Sequence, residues 1–333
     1  MRQSIRSCAS AFSLSVIVAA CGRDRGAAGD AQAAQVQGAQ AQEAQAQEAQ
    51  AQDAQAPSEL TAYATAAPIG GKSVGHTSLV FKLKLEGGLE AAYKPRSRKA
   101  LGAYRYKGEI AAYRIARALG LRNVPPAIPR GFDSKSVRAA LAGGNGAAAW
   151  DESALPDESG TIRGALIPWI PNLKLSDIDH EPALSAWRAW LSTDAPVPEG
   201  SAKLAAQIST MLVFDYLTSN WDRWSGGNIG FDEPSGTLLF IDNDGAFYET
   251  PSVANLSAQL ARIQTVRRFS KSFVAALHAF DAPALAAAVG DETPGVPLIS
   301  AKILAATDAR RLRVLAAIDA EIARDGERAR PFD

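Results

Sequence analysis

The chain has 333 residues, 35 Lys+Arg against 35 Asp+Glu, and 47% hydrophobic residues. Zero net charge provides no general attraction to nucleic acid or anionic lipid. Two cysteines, both before residue 22, and three scattered histidines exclude a disulfide framework and a zinc site of the usual kind.

Residues 1–21 begin with Arg2 and Arg6 and continue into an uncharged stretch, Ala9 to Ala20. That stretch falls short of the roughly 20 apolar residues a bilayer span needs and has the length of a secretory signal core. Its end, Val18-Ala19-Ala20-Cys21, resembles the lipobox of bacterial lipoproteins, in which the cysteine is lipidated. The other readings are an ordinary signal peptide and an apolar leader added by a mistaken start. The lipoprotein reading makes Cys21 the lipidation site of an exported cell-envelope protein that meets the membrane only through its lipid.

Residues 22–57 read as a spacer. From 31 onward they are almost wholly Ala and Gln with occasional acids, which leaves nothing of size to bury in a core. As a coil such a tract reaches on the order of 30 Å. The folded body therefore begins near residue 58 and contains no cysteine.

Within the body, Thr77–Leu85 alternates lysines with apolar residues and reads as a half-buried strand. Glu86-Gly87-Gly88 is a turn and Leu89–Lys94 a second strand. Gly108–Gly120 reads as a helix closed by Gly120, with Pro125-Pro126 beyond it. Gly143 to Gly160 is a loop without periodicity, and Gly164–Leu173 a strand that breaks at its prolines. The second half is mostly helical: Glu181–Leu191, Ser201–Thr218, and two or three helices from Ser252 onward. One hairpin interrupts it, Asn228–Asp232 and Thr237–Asp242, turning at Glu233-Pro234-Ser235-Gly236. A strand-rich part with one helix, followed by a helical part with one hairpin, predicts an α+β protein of two lobes.

A hairpin brings its open ends together, so Asp222, Asn228 and Asp242 are expected to be neighbours. Two carboxylates and an amide form an oxygen-rich set suited to Mg²⁺ or Mn²⁺. The alternative is that Asp222 and Asp244 cap turns while Asp242 pairs with an arginine. Lys94 ends an apolar strand, either solvated or paired. Glu109 stands at the start of the expected helix, where an acid suits the dipole. It also flanks the apolar side, so it wants a partner, and Lys94 is the nearest candidate. Gly70-Gly71-Lys72-Ser73 is not a Walker motif, because position 66 is Ala66 and a strand follows; a glycine-containing loop there, with Gly75 a member, is still able to cover phosphates. His76, His180 and His278 sit in separate elements, and Trp169, Trp187, Trp190, Trp221 and Trp224 read as core and lobe-interface residues.

A strand lysine, a helix glutamate, an Asp with a downstream Asn, and an Asp after a hairpin follow the order of protein-kinase-like phosphotransferases. GEIAAYRIARALGLRNVPP resembles the helix and exit loop of the secretory-pathway kinases of the Golgi casein kinase group. FDYLTSNWDRWSGGNIGF with LLFIDNDGAF is similar to the catalytic segment of the related four-jointed kinases. The resemblance runs from about Gly70 to at least Phe247. It implies a two-lobed protein-kinase-like fold, with the N-lobe over 58–170 and the C-lobe over 171–333. It further implies that Lys94 contacts ATP phosphates and pairs with Glu109, that Asp222 orients or deprotonates the acceptor hydroxyl, and that Asn228 and Asp242 hold Mg²⁺ or Mn²⁺. The backbone at Trp169 and Ile170 would face the adenine as a hinge, whereas the family's glycine loop is poorly matched around Gly75. Asn228 lies six residues after Asp222, where the kinase pattern has five, and the disulfides of the animal relatives have no counterpart. The resulting expectation is an exported kinase acting on a hydroxyl, chiefly Ser or Thr of a protein. The alternatives are a sugar, lipid or other small-molecule kinase, and a nucleotide-binding pseudokinase.

Overall fold

The computed structural model describes residues 60–75, 78–99, 102–192, 196–329 and 331–332. The leader with Cys21, the spacer, His76 and Thr77 lie outside the described residues.

Five strands form the first sheet: β1 (Pro68–Ser73), β2 (Phe81–Leu85), β3 (Glu90–Pro95), β4 (Ile128–Asp133) and β5 (Thr161–Pro168), in the order β1-β2-β3-β5-β4 and antiparallel throughout. The lysine alternation of β2 works as expected, with Phe81, Leu83 and Leu85 buried and Lys84 exposed. These side chains pack with Tyr93, Phe132, Ile162 and Leu166 into a core on one face of the sheet. Tyr93 and Phe132 meet edge to face at 5.1 Å. Period-two alternation then turns Lys94 to the opposite face, toward α1 (Gly102–Ala118).

Several expectations are corrected here. Gly70 to Ser73 belong to strand β1, because ladder pairing with β2 overrides the low strand preference of glycine; Val74 and Gly75 lie beyond its end. The strand expected over Thr77–Leu85 begins only at Phe81. The supposed loop after Gly143 contains α3 (Gly146–Ser153), fixed by Trp150, which packs on Phe81 at 5.5 Å; α2 (Ser134–Ala140) precedes it. Helix α1 starts six residues before Gly108, so Glu109 lies in its second turn and the helix dipole does not account for it.

The exit of α1 follows the expected glycine stop. Gly120 has φ 72°, and the Leu121 amide donates to the Ala116 carbonyl at 2.8 Å. The buried face of α1 joins the larger core of the helical half, centred on α5 (Ala202–Thr218), which is buried on nearly every side from Ile208 to Thr218. Around it lie α4 (Ala183–Ser192), α6 (Val253–Ile263), α7 (Lys271–Ala279), α8 (Ala282–Val289) and the long α9 (Ala301–Asp325). Four helices thus follow Ser252 where two or three were expected, and a short pair, β9 (Asp291–Thr293) and β10 (Val296–Pro297), was not foreseen. The hairpin is β7 (Ile229–Asp232) and β8 (Thr237–Phe240), joined at its edge by β6 (Lys174–Leu175). Among the described residues no single helix is long and apolar enough to cross a membrane.

Candidate functional site

Lys94 is buried to 8% exposure, and its ammonium lies among three carboxylates. Nζ is 2.5 Å from Glu109, 2.6 Å from Asp242 and 3.6 Å from Asp244. Burial pushes the ammonium toward losing its proton, but the three carboxylates overcome this and hold its pKa above the ordinary lysine value. Burial raises the Glu109 carboxyl in spite of Lys94. For Asp242 burial also acts upward, yet Lys94 wins and holds it below the usual range. Asp242 therefore pairs with a lysine, not with an arginine.

Glu109 reaches this position because α1 approaches the Asn243–Gly245 turn very closely. A Cβ at Gly108 would stand 2.7 Å from the Asn243 carbonyl and 3.2 Å from that of Ala246. Alanine in a helix interior is ordinarily favoured over glycine by about 1 kcal/mol. Gly108→Val is expected to reverse that sign, lowering stability by about 1–3 kcal/mol through overpacking, as a thermal melt would show.

Arg223 is fully buried and assembles the hairpin mouth. Nε donates to Asp215 at 3.2 Å, Nη1 to the carbonyls of Asn228 (2.6 Å) and Ile241, and Nη2 to Asn243 Oδ1 at 2.6 Å. One guanidinium thus joins the end of α5 to both open ends of the hairpin. Burial raises the Asp215 carboxyl to about 6 even with Arg223 beside it. Asn228 donates Nδ2 to the backbone carbonyl of Asp222 at 2.7 Å and to Ser225 Oγ at 3.2 Å, which leaves its amide oxygen as a ligand. Asp242 occupies the left-handed region at φ 55°, ψ 64°, a conformation disfavoured for residues with a Cβ and concentrated at functional sites.

Arg105, one helical turn before Glu109, completes the cluster. It donates Nε to Asp244 at 3.1 Å and Nη2 to the same carboxylate, and Nη2 lies 3.9 Å from Asp222. Asp244 is thus an ion-pair partner of Lys94 and Arg105 and not merely a turn cap. Two cations, Lys94 and Arg105, face four carboxylates: Glu109, Asp242, Asp244 and Asp222. That anionic excess, with hard oxygen donors on Asp242 and Asn228, fits Mg²⁺ or Mn²⁺. Among the described residues no group of three His, Cys, Asp or Glu is arranged to hold a metal ion by itself.

Two cavities meet at Lys94. An apolar one of about 180 Å³ is lined by Ala92, Pro125, Ile167, Trp169, Ile170 and Ile241. The Trp169 amide is engaged, donating to the Glu90 carbonyl at 2.9 Å, and Lys82 sits 4.3 Å from its ring. The Ile170 amide has no partner among the described residues. On the other side a polar cavity of about 140 Å³ is lined by Ser78, Leu79, Ser97, Lys99, Arg105 and Asp244. Gly75 does not line either cavity. Its amide donates to the Val80 carbonyl at 3.2 Å, and a Cβ there would collide with the carbonyl of Ser78, a residue that lines the second cavity. A larger cavity of about 740 Å³ beside Leu119, Lys203 and Phe273 contains none of these groups. Of the tryptophans, Trp187 is buried against Trp224 at 5.8 Å, whereas Trp221, next to Asp222, is 42% exposed and departs from the core assignment.

Arg105 and Arg223 carry much of this geometry although the sequence assigns them no role, and Asp244, read there only as a turn cap, carries more of it than that reading gives. The available signal for Arg105 was its i, i+4 spacing from Glu109, hidden once the helix was taken to start at Gly108.

Residues 95–226 match the family described as Four-jointed box protein middle domain. Human Four-jointed box protein 1 is 28% identical over 45% of this chain, and the match spans 38% of the human protein's length. In structure the chain is similar to a hydra Fam20 protein solved with sugar (TM-score 0.58, 18% identity, 80% of this chain and 89% of that one). It is also similar to the Golgi casein kinase solved with Mn and ADP bound (TM-score 0.59, 15% identity, 82% and 78%). The middle segment is thus similar to the four-jointed middle domain, and the structural matches show a two-lobed, kinase-like α+β fold.

Proposed function

We propose that this chain, kinase-like in fold and four-jointed-like in its middle segment, is an exported ATP-dependent kinase that transfers the γ-phosphoryl group to a hydroxyl, chiefly Ser or Thr of a protein. The observation that carries this reading is the position of Lys94 Nζ, 2.5 Å from Glu109 and 2.6 Å from Asp242, at the junction of an apolar and a cationic cavity. The adenine would lie against Trp169 and Ile170 in the apolar cavity, with the Ile170 amide as donor, and the chain would divide into lobes there, near residue 170. Lys94 would hold the phosphates, with Gly75 covering them. Asn228 and Asp242 would hold Mg²⁺ or Mn²⁺, which when bound neutralises charge on the phosphate oxygens. Asp222 would accept the proton of the acceptor hydroxyl. Catalysis then rests on positioning and charge neutralisation. Cys21 would carry the lipid that tethers the domain to the envelope.

The exposed indole of Trp221 beside Asp222 favours a second acceptor class. A flat aromatic face suits the apolar face of a sugar, and the hydra Fam20 relative was solved with sugar. The test incubates the full chain with γ-labelled ATP, Mg²⁺ or Mn²⁺, and in parallel casein or a panel of simple glycosides. Asp222→Asn is expected to lower transfer by about 10²–10⁴-fold, the usual range for a general base. Wild-type chain that neither transfers label nor is stabilised by ATP with either metal would overturn the kinase reading.

A further inference from the structure

Arg105 has no role in the transfer proposed so far, although it lines the polar cavity beside Lys94. Its side chain, 21% exposed, borders the polar cavity of about 140 Å³, to which Lys94 and Lys99 add two further cations. Asp244 holds the guanidinium by Nε and Nη2 only. Nη1 donates to no group among the described residues. On its far side Nη2 lies 3.9 Å from Asp222. The guanidinium therefore spans the gap between the turn after β8, where Lys94 and Asp242 would hold the donor phosphates, and Asp222, where the acceptor oxygen would be activated. A phosphoryl group moving from donor to acceptor has to cross that gap.

We propose that Arg105 is a catalytic residue that donates to the non-bridging oxygens of the phosphoryl group in flight; the inference rests on the phosphotransferase reading of this site. In the step, the bond from the γ-phosphorus to the β,γ-bridging oxygen breaks, and its electron pair leaves with ADP. The bond from the acceptor oxygen to phosphorus forms, and the acceptor proton passes to Asp222. Arg105 stays protonated throughout. Charge spreads over three phosphoryl oxygens at the transition state, and a planar guanidinium with a free edge matches that spread better than an ammonium. The i, i+4 spacing of Arg105 and Glu109 on α1 has a further consequence: any shift of the helix withdraws the arginine and breaks the Lys94 pair together.

The test compares the full-length wild type, Arg105→Ala and Arg105→Lys in three measurements. These are turnover of labelled ATP, thermal stabilisation by ADP with and without aluminium fluoride, and rescue by added guanidinium at constant ionic strength. Aluminium fluoride with ADP mimics the planar phosphoryl group. Arg105→Ala is expected to lower kcat by about 10³-fold, the scale of an arginine supplied to phosphoryl transfer, with KM for ATP changed less than about threefold. It should retain stabilisation by ADP and lose the additional stabilisation by aluminium fluoride. Guanidinium should restore turnover where ammonium at the same concentration does not. If Arg105→Ala folds poorly, Arg105→Lys carries the same expectation with a smaller loss, about tenfold or more in kcat at unchanged ADP stabilisation. Turnover equal to wild type in both variants would overturn the proposal. So would loss of ADP stabilisation in parallel with kcat, which would mark Arg105 as a brace for α1. A wild type without turnover or nucleotide stabilisation would overturn the kinase reading and this inference with it, whereas an active wild type matched by Arg105→Ala overturns this inference alone.

Discussion

Asp242→Ala in the full chain should lower phosphoryl transfer on the order of 10³-fold, the scale of removing one preorganised charge-stabilising group from an active site. The same change should leave the melting temperature without nucleotide unchanged or higher. The reason lies in the imbalance around Lys94. Glu109, Asp242 and Asp244 crowd one ammonium at 2.5, 2.6 and 3.6 Å. Glu109 alone still satisfies Lys94 once Asp242 is gone, and like-charge repulsion falls. A group retained against the stability of the empty site is a mark of function. The discriminating measurement is the rise in melting temperature on adding ATP with Mg²⁺ or Mn²⁺, expected for the wild type and absent from Asp242→Ala. A variant that melts well below the wild type, yet still transfers label, would show Asp242 to be scaffold and not a ligand for the cation.

The parts of this site legible in sequence were those set by local pattern. Pro234-Ser235-Gly236 between two short apolar runs marks the hairpin, and a hairpin forces its ends together; Asp222, Asn228 and Asp242 follow from that geometry alone. The pairing of Glu109 with Lys94 was legible as an inward-facing carboxylate in need of a partner, whereas the phosphate-binding role of Lys94 came only from the resemblance, because nothing local separates a buried strand lysine from a solvated one. What stayed hidden depends on tertiary contact. Gly108 reads as a helix start, but it is glycine because the Asn243 carbonyl would stand 2.7 Å from its Cβ, deep inside a helix that begins at Gly102. That displacement of the helix start concealed Arg105. The two glycines of β1 read as a loop, yet Gly71 sits where a Cβ would be 2.9 Å from the Lys82 carbonyl, so the strand needs a residue without a side chain. Helix α3 rests on one aromatic, Trp150, packed on Phe81, and a single anchor leaves no periodicity to read. The lobes themselves were legible because they depend on the order of elements, which survives such local errors.

Arg223 shows why the hairpin ends converge, and it supports the largest expected effect on stability. Arg223→Ala leaves the Asp215 carboxylate, two backbone carbonyls and the Asn243 side chain without their donor, all but the Ile241 carbonyl in a buried setting. Breaking a buried pair from one side costs about 3–5 kcal/mol, because the remaining charge is stranded. The loss should grow with pH. Burial already places the Asp215 carboxyl at about 6, against an ordinary 3.8. A carboxyl raised in the folded state contributes stability that is full below the unfolded value and is lost as pH rises through the folded one. Without Arg223 the folded value moves higher still, so melts at pH 5 should show a smaller deficit than melts at pH 8. Removing the stranded charge as well, in Arg223→Met with Asp215→Leu, should recover much of the stability, since apolar groups of similar size replace buried pairs at little cost. Turnover should not return with it: the double variant has no donor for the Asn228 and Ile241 carbonyls, and the ends bearing Asp222, Asn228 and Asp242 lose their common anchor. Recovery of both properties in the double variant would mean that Arg223 stabilises the fold without organising the site.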